Sequence, residues 1–253
     1  MKSPVILIGI GEIGGVFARG LLRAGHPVYP ANRGADLAAI ARQLPAPELV
    51  LVAVAENDLP AVLETLPSAW FQRVGLLQNE LLPADWQQYG ITHPTVISVW
   101  FEKKTGQDVR ILLPSPVYGP AGEVLHDSLQ TLGIPTRLIA GEPELLFELV
   151  LKNVYIVTTN CVGLATGGTV SELWADHREL AEDVAREVIR IQESLVGQRL
   201  PADALIEGML RAFAGDPDHK CMGRSAPSRL ARALRQADDA SLEVPLLRQI
   251  ASR

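Results

Sequence analysis

The chain has 253 residues, 47% of them apolar and 21% charged, and its 29 acidic and 23 basic side chains give a net charge of −6. That is an ordinary globular composition, long enough for one large domain or two small ones. An acidic chain offers no basic face to a phosphate backbone, so nucleic acid is not expected as a partner.

The N-terminal apolar run Val5–Ile10 enters a glycine motif rather than a small-residue cleavage site, so no secretory signal is expected. No run of about 18 apolar residues is evident, which argues against a membrane span. The two cysteines, Cys161 and Cys221, lie far apart, with no CxxC and no zinc-type Cys/His spacing. Cysteine usage this low predicts reduced thiols in a cytoplasmic protein.

In chain order, Val5–Ile8 reads as a buried strand and Gly11–Ala24 as an amphipathic helix, stopped by Gly25. His26–Ala31 reads as a strand and Ala35–Arg42 as a short helix. The unbroken apolar run Leu49–Ala55 predicts a central parallel strand covered on both faces. Leu59–Leu66 follows as a helix, then strand Val74–Leu77 and the polar loop Gln78-Asn79-Glu80. Thr95–Phe101 and Val109–Leu113 read as strands, Glu123–Leu132 as a helix and Thr136–Ile139 as a last strand. This alternation predicts an α/β fold with a doubly wound, Rossmann-type sheet. From Glu142 onward the pattern is helical: Leu145–Leu164, Ser171–Gly197, Ala202–Ala214 and about Ser228–Ala240, with Gly167-Gly168 separating the first two. The expected organisation is a dinucleotide-binding domain at 1–141 and an all-helical substrate and dimerisation domain at 142–253.

Gly9-Ile10-Gly11-Glu12-Ile13-Gly14 is GxGxxG between a strand and a helix. The first glycine permits a tight turn, the second lets backbone approach a pyrophosphate, and the third lets helix and strand pack closely. The phosphates would then meet the free N–H groups and positive dipole end of the helix. Without a ligand, the same motif is only a glycine-rich turn. Ala53, in the third strand's run, joins this loop among the expected cofactor-binding positions. At the end of the second strand, where an acid would hold a ribose 2′-hydroxyl, the chain has Asn32 and Arg33. Arg33 can pair with a 2′-phosphate and Asn32 can donate to it, which points to NADP(H); otherwise Arg33 is a solvated surface charge. Asp36 follows the glycine and is expected to cap the next helix.

The helix at 145–164 is largely apolar yet carries Lys152, Asn153, Thr159 and Asn160. Lys152 and Asn160, eight apart, share one helix face. A lysine there can polarise a carbonyl and supply its proton as hydride arrives; alternatively it snorkels at the helix edge and pairs with Glu148 one turn back.

Taken together, GxGxxG, Asn32-Arg33, Gln78-Asn79, Lys152 with Asn160-Cys161, and the helix carrying Glu187 resemble the ketopantoate reductase family over nearly the whole chain. The resemblance implies a Rossmann domain followed by a helical one, and NADPH-dependent reduction of a 2-keto acid. It implies Lys152 as the catalytic lysine, Asn160 as a substrate-contacting asparagine, Asn79 near the nicotinamide ribose and reaction centre, and Arg33 at the 2′-phosphate. The chain departs from the family pattern at Ile156, where a second asparagine is usual, at Glu80 for a glycine, and at Ala55 for a lysine. The segment His219–Arg229, in the register of a serine-rich stretch with a catalytic glutamate, contains no acid; Asp238, Asp239 and Glu243 come later. Ser225 and Ser228 can contact a ligand there, and Arg224 or Arg229 can pair with a substrate carboxylate. The expectation is an NADP-dependent reductase of a small carbonyl compound. The alternatives are a degenerate NADP-binding sensor and a dehydrogenase of the 3-hydroxy acid or 6-phosphogluconate type. The cleft is expected between the strands' carboxyl ends and the Lys152 helix, and the long apolar helices suggest a homodimer.

Overall fold

The structure is a computed structural model that describes residues 2–252. β1 (Val5–Ile8) and β3 (Leu49–Val52) have every side chain buried, as strands covered on both faces must. β1 pairs in parallel with β2 (Val28–Ala31) on one side and with β3 on the other. β4 (Val74–Leu76), β5 (Thr95–Ile97), β8 (Ser115–Tyr118) and β9 (Thr136–Leu138) extend a seven-stranded sheet ordered β2-β1-β3-β4-β5-β8-β9. Strand order reverses between β2 and β3, so the carboxyl ends of β1 and β3 flank the crevice where open α/β sheets bind ligands.

Helix α1 (Glu12–Arg23) buries Val16, Phe17 and Leu21 against this sheet's core, together with Leu125 and Leu129 of α5 (Gly122–Gln130). α1 and α5 approach so closely that a Cβ on Gly20 would lie 2.6 Å from the Ser128 carbonyl oxygen. α1 stops at Gly25, whose φ of +89° suits glycine, and His26 N–H donates back to the Leu21 carbonyl. Asp36 caps α2 (Leu37–Gln43), accepting from Ala39 N–H at 2.9 Å, as its position in the sequence predicts. α3 (Leu59–Glu64) and the short α4 (Ala84–Gln87) complete this part.

Several elements differ from the sequence reading. β2 starts at Val28; His26 is buried outside it, with its Nδ1 3.0 Å from the Ser3 carbonyl oxygen. Thr95–Phe101 is two strands, β5 and β6 (Phe101–Glu102), and β6 pairs with β7 (Arg110–Ile111) in a separate hairpin. β8 carries Pro116, a residue that argues against a strand in sequence, and it pairs antiparallel with β5, so the sheet is mixed there.

Beyond β9 the described residues form helices and one isolated bridge, Thr169 to Lys220. The helices are α6 (Glu142–Thr166), α7 (Val170–Asp176), α8 (Arg178–Val196), α9 (Ala202–Gly215), α10 (Ala226–Asp239) and α11 (Pro245–Ala251). Gly167 and Gly168, both at positive φ, end α6. The span expected as one helix, 171–197, is broken at His177, and Thr169 with Glu172 forms a capping box at the start of α7. By length and composition α6 could cross a membrane, although the sequence reading found no apolar run of that length, and 78% of its most apolar window is buried inside the fold. The chain divides into two compact units, Met1–Glu148 and Leu149–Arg253, with the boundary inside α6.

Candidate functional site

The glycine loop sits at the carboxyl end of β1, where each glycine meets a different constraint. Gly9 has φ +90°, and a Cβ on it would lie 2.8 Å from the Ala53 carbonyl oxygen. A Cβ on Gly14 would lie 2.3 Å from the Gly9 carbonyl oxygen. The fold itself requires both glycines. Gly11 differs: its Cβ position meets nothing within 4 Å. Gly11 is also the N-cap of α1, and no side chain caps the helix. An uncapped helix start beside an open, side-chain-free position fits an anionic diphosphate. Ile13, half-buried, packs against the sheet's core beneath this turn, as does Ala53.

At the end of β2, Asn32 and Arg33 are exposed, the Arg33 side chain at 92%. Its guanidinium lies 3.4 Å from Asp58, across the loop before α3. Asp36 is engaged at its helix cap, so Asn32 and Arg33 are the exposed polar side chains directly after β2. At the end of β4, buried Gln78 donates through Nε2 to the Val52 carbonyl at 2.7 Å, and its Oε1 accepts from Leu77 N–H. Gln78 therefore ties β4 to β3 and sets the path of the next residue, half-buried Asn79. Glu80 follows at φ +60°, a left-handed conformation that favours glycine.

The sequence reading missed one participant. Between β6 and β7, Lys103 Nζ lies 3.3 Å from Glu12 Oε2, and the Thr105 hydroxyl donates to Glu12 Oε1 at 2.6 Å. The Thr105 hydrogen bond, then Lys103, hold the Glu12 carboxyl below the usual carboxylate range. Lys103, Gly11, Glu12, Gly15 and Arg19 line a cavity of about 490 Å³. Lys103 is 91 positions from Glu12 in sequence, so no local motif signals the contact.

In the helical unit, half-buried Lys152 places Nζ 5.6 Å from the Tyr155 ring centroid, a cation–π arrangement. Tyr155 packs at 5.9 Å from Phe213 and 6.3 Å from His219, whose Nδ1 lies 3.4 Å from Asp216. Asn160 is buried and engaged at both amide atoms: its Nδ2 donates to the Cys221 carbonyl at 3.1 Å, and its Oδ1 accepts from Arg229 at 2.9 Å. Asn153 donates to Gln192 at 2.9 Å in the core. Ser225 is the half-buried N-cap of α10 and makes no side-chain cap bond. Ile156 is 7% exposed, an apolar core residue. Glu187 is buried, and its two oxygens accept from Leu246 and Leu247 N–H at 3.0 Å each, capping α11. Pro245 ahead of Leu246, Leu247 and Ile250, a proline at the first turn of an apolar stretch, was the sequence signal for that unforeseen helix.

Solved structures share this fold. 2-Dehydropantoate 2-reductase from Methylococcus capsulatus superposes with a TM-score of 0.69 at 14% identity, over 98% of this chain and 94% of that one. The chain has the fold of the ketopantoate reductases. A dimeric ketopantoate reductase from Staphylococcus aureus gives a TM-score of 0.63 at 17% identity, covering 98% of this chain and 96% of that one. D-mandelate dehydrogenase, in a ternary structure with NADH and anilino(oxo)acetate, gives 0.67 at 12% identity with coverages of 98% and 96%. No family model and no curated protein matches the sequence.

Proposed function

We propose that this chain is a nicotinamide-dependent oxidoreductase that uses NADP(H) to reduce a small 2-keto acid or a related carbonyl compound. The observation that carries the reading is the glycine loop: open backbone at Gly11, an uncapped α1 and exposed Arg33 beside it. The shared fold supports it, since relatives of that fold include ketopantoate reductases and a dehydrogenase held with NADH. In this reading residues 1–141 bind the dinucleotide through Gly9, Gly11, Glu12, Ile13, Gly14, Ala53 and Asn79. Asn32 and Arg33 meet its 2′-phosphate, and residues 142–253 carry the substrate and dimer contacts.

NADPH, when bound, supplies a hydride to the carbonyl carbon. The Lys152 ammonium polarises the carbonyl oxygen and gives it a proton, leaving a neutral amine and a hydroxyl product. Asn79 positions the reacting groups. Asn160, by accepting from Arg229, holds a guanidinium suited to a substrate carboxylate near Ser225. The protein then works as a homodimer in the cytoplasm, where its two free cysteines stay reduced.

The test is NADPH consumption against a panel of 2-keto acids, with Lys152→Ala and Arg33→Ala beside the unmodified protein. Lys152→Ala should abolish turnover while NADPH affinity persists. Arg33→Ala should lower the preference for NADPH over NADH about tenfold or more. An unchanged preference would refute the cofactor assignment. A second reading, an NADP-binding sensor without turnover, is favoured by one observation: Glu187 is committed to capping α11, and no acid lies in 219–229. NADPH binding without turnover on any 2-keto acid would select it.

A further inference from the structure

We infer that Lys103, carried on the β6–β7 hairpin, is a phosphate-binding cation of the dinucleotide site, with Glu12 as its resting counter-ion. The inference rests on the cofactor reading above. A diphosphate brings about two negative charges, and a helix N-terminus offers about half a positive one. Glu12, in the first turn of α1, opposes the ligand's charge. The carboxyl end of β3 offers Ala53, Val54 and Ala55, none of them a cation. The hairpin supplies what is missing there.

Three observations place Lys103 at this job. Its Nζ lies 3.3 Å from Glu12 Oε2 and donates to the Lys104 carbonyl at 2.9 Å, two contacts for an ammonium with three donors. Its side chain is 22% exposed, held against the loop rather than extended into solvent. It also lines the same cavity as Gly11, Gly15 and Arg19, and the Cβ positions of both glycines are open for 4 Å. Open backbone at two glycines, with the cations Lys103 and Arg19 beside it and Glu12 already paired to Lys103, leaves room and charge for a diphosphate. When the ligand enters, Lys103 exchanges part of its pairing with Glu12 for phosphate oxygen, and Thr105 keeps the carboxylate hydrogen-bonded.

The experiment is titration of NADPH and NADH into the full chain by cofactor fluorescence. Lys103→Ala should weaken both nucleotides alike, about tenfold, because they share the diphosphate. Arg33→Ala, by contrast, should weaken NADPH alone. Glu12→Gln should tighten both about threefold, and Lys103→Ala should still weaken binding in the Glu12→Gln background. Lys103→Gln, which keeps a long polar side chain, should match the alanine variant. Unchanged binding by Lys103→Ala would overturn the inference, as would a loss that vanishes in the Glu12→Gln background, where the lysine would only be masking the acid. If the unmodified chain binds neither nucleotide, the cofactor reading fails and takes the lysine's role with it.

Discussion

Gly11→Ala and Gly14→Ala add the same methyl group three residues apart, yet they should fail in opposite ways. At Gly14 the new carbon would sit 2.3 Å from the Gly9 carbonyl oxygen, more than 1 Å inside ordinary contact (~3.5 Å). Relief cannot come from moving Gly9 towards β3, because Gly9's own Cβ position lies 2.8 Å from the Ala53 carbonyl oxygen. Overpacking of this kind costs about 3 kcal/mol, and the better helix propensity of alanine returns at most ~1. The net loss is therefore ~2 kcal/mol, or about 4–8 °C in Tm for a chain of this size. At Gly11 the methyl group meets nothing within 4 Å, and φ −82° is open to any residue. Stability should stay within ~1 kcal/mol, the difference between glycine and alanine as N-caps. NADPH affinity should nevertheless fall at least ~30-fold, because the methyl group occupies the space where backbone would approach the diphosphate. Thermal unfolding and cofactor fluorescence titration, run on both variants, separate the two effects. A Gly11→Ala protein that binds NADPH normally would refute the loop's role, and one that unfolds like Gly14→Ala would refute its geometry.

Other residues give independent checks. Glu187→Ala leaves two backbone N–H groups of α11 without their buried acceptor. It should lower stability by ~3 kcal/mol in denaturant unfolding and open the C-terminal segment to proteolysis, with Glu187→Gln losing about half as much. Glu80→Gly removes the Cβ that the left-handed φ of +60° disfavours and should raise unfolding stability by ~0.5–1 kcal/mol. Burial, then Glu172, push the Cys221 thiol up to about 11, against an ordinary value of 9.0. The fold favours the protonated thiol, so its contribution is complete below that ordinary value and lost as pH rises towards 11. Denaturation across that window should show falling stability, less so in Cys221→Ala, and the native thiol should resist alkylation at neutral pH.

The sheet half of the fold was legible because its signals are local. The runs VILI and LVLV, the glycine spacing and the Asp36 cap each depend on a few adjacent residues, and each lies in the structure as the sequence predicts. What escaped depended on distant partners. β8 is a strand despite Pro116 because β5 and β9 pair with it on either side. The helix expected over 171–197 breaks at His177, where no glycine or proline marks the stop. Lys103 reaches Glu12 only through the turn of a hairpin whose strands are two residues long.

The polar stripe on α6 shows a different limit. Asn153 and Asn160 look like ligand-facing groups in an apolar helix, but a buried amide must find partners wherever it lies. The fold supplies them: Gln192 for Asn153, and Cys221 with Arg229 for Asn160. Glu187, on the face of α8 that meets α11, is consumed in the same way. Lys152 is of another kind. It is half-buried rather than buried, and it lies over an aromatic ring that also packs against His219 and Phe213. Under the proposed function, an ammonium at the edge of an apolar helix would be the group able to give its proton to the carbonyl oxygen. The asparagines paired within the fold serve the helical unit's architecture, and under the proposed function Arg229, oriented by Asn160, would meet the substrate carboxylate.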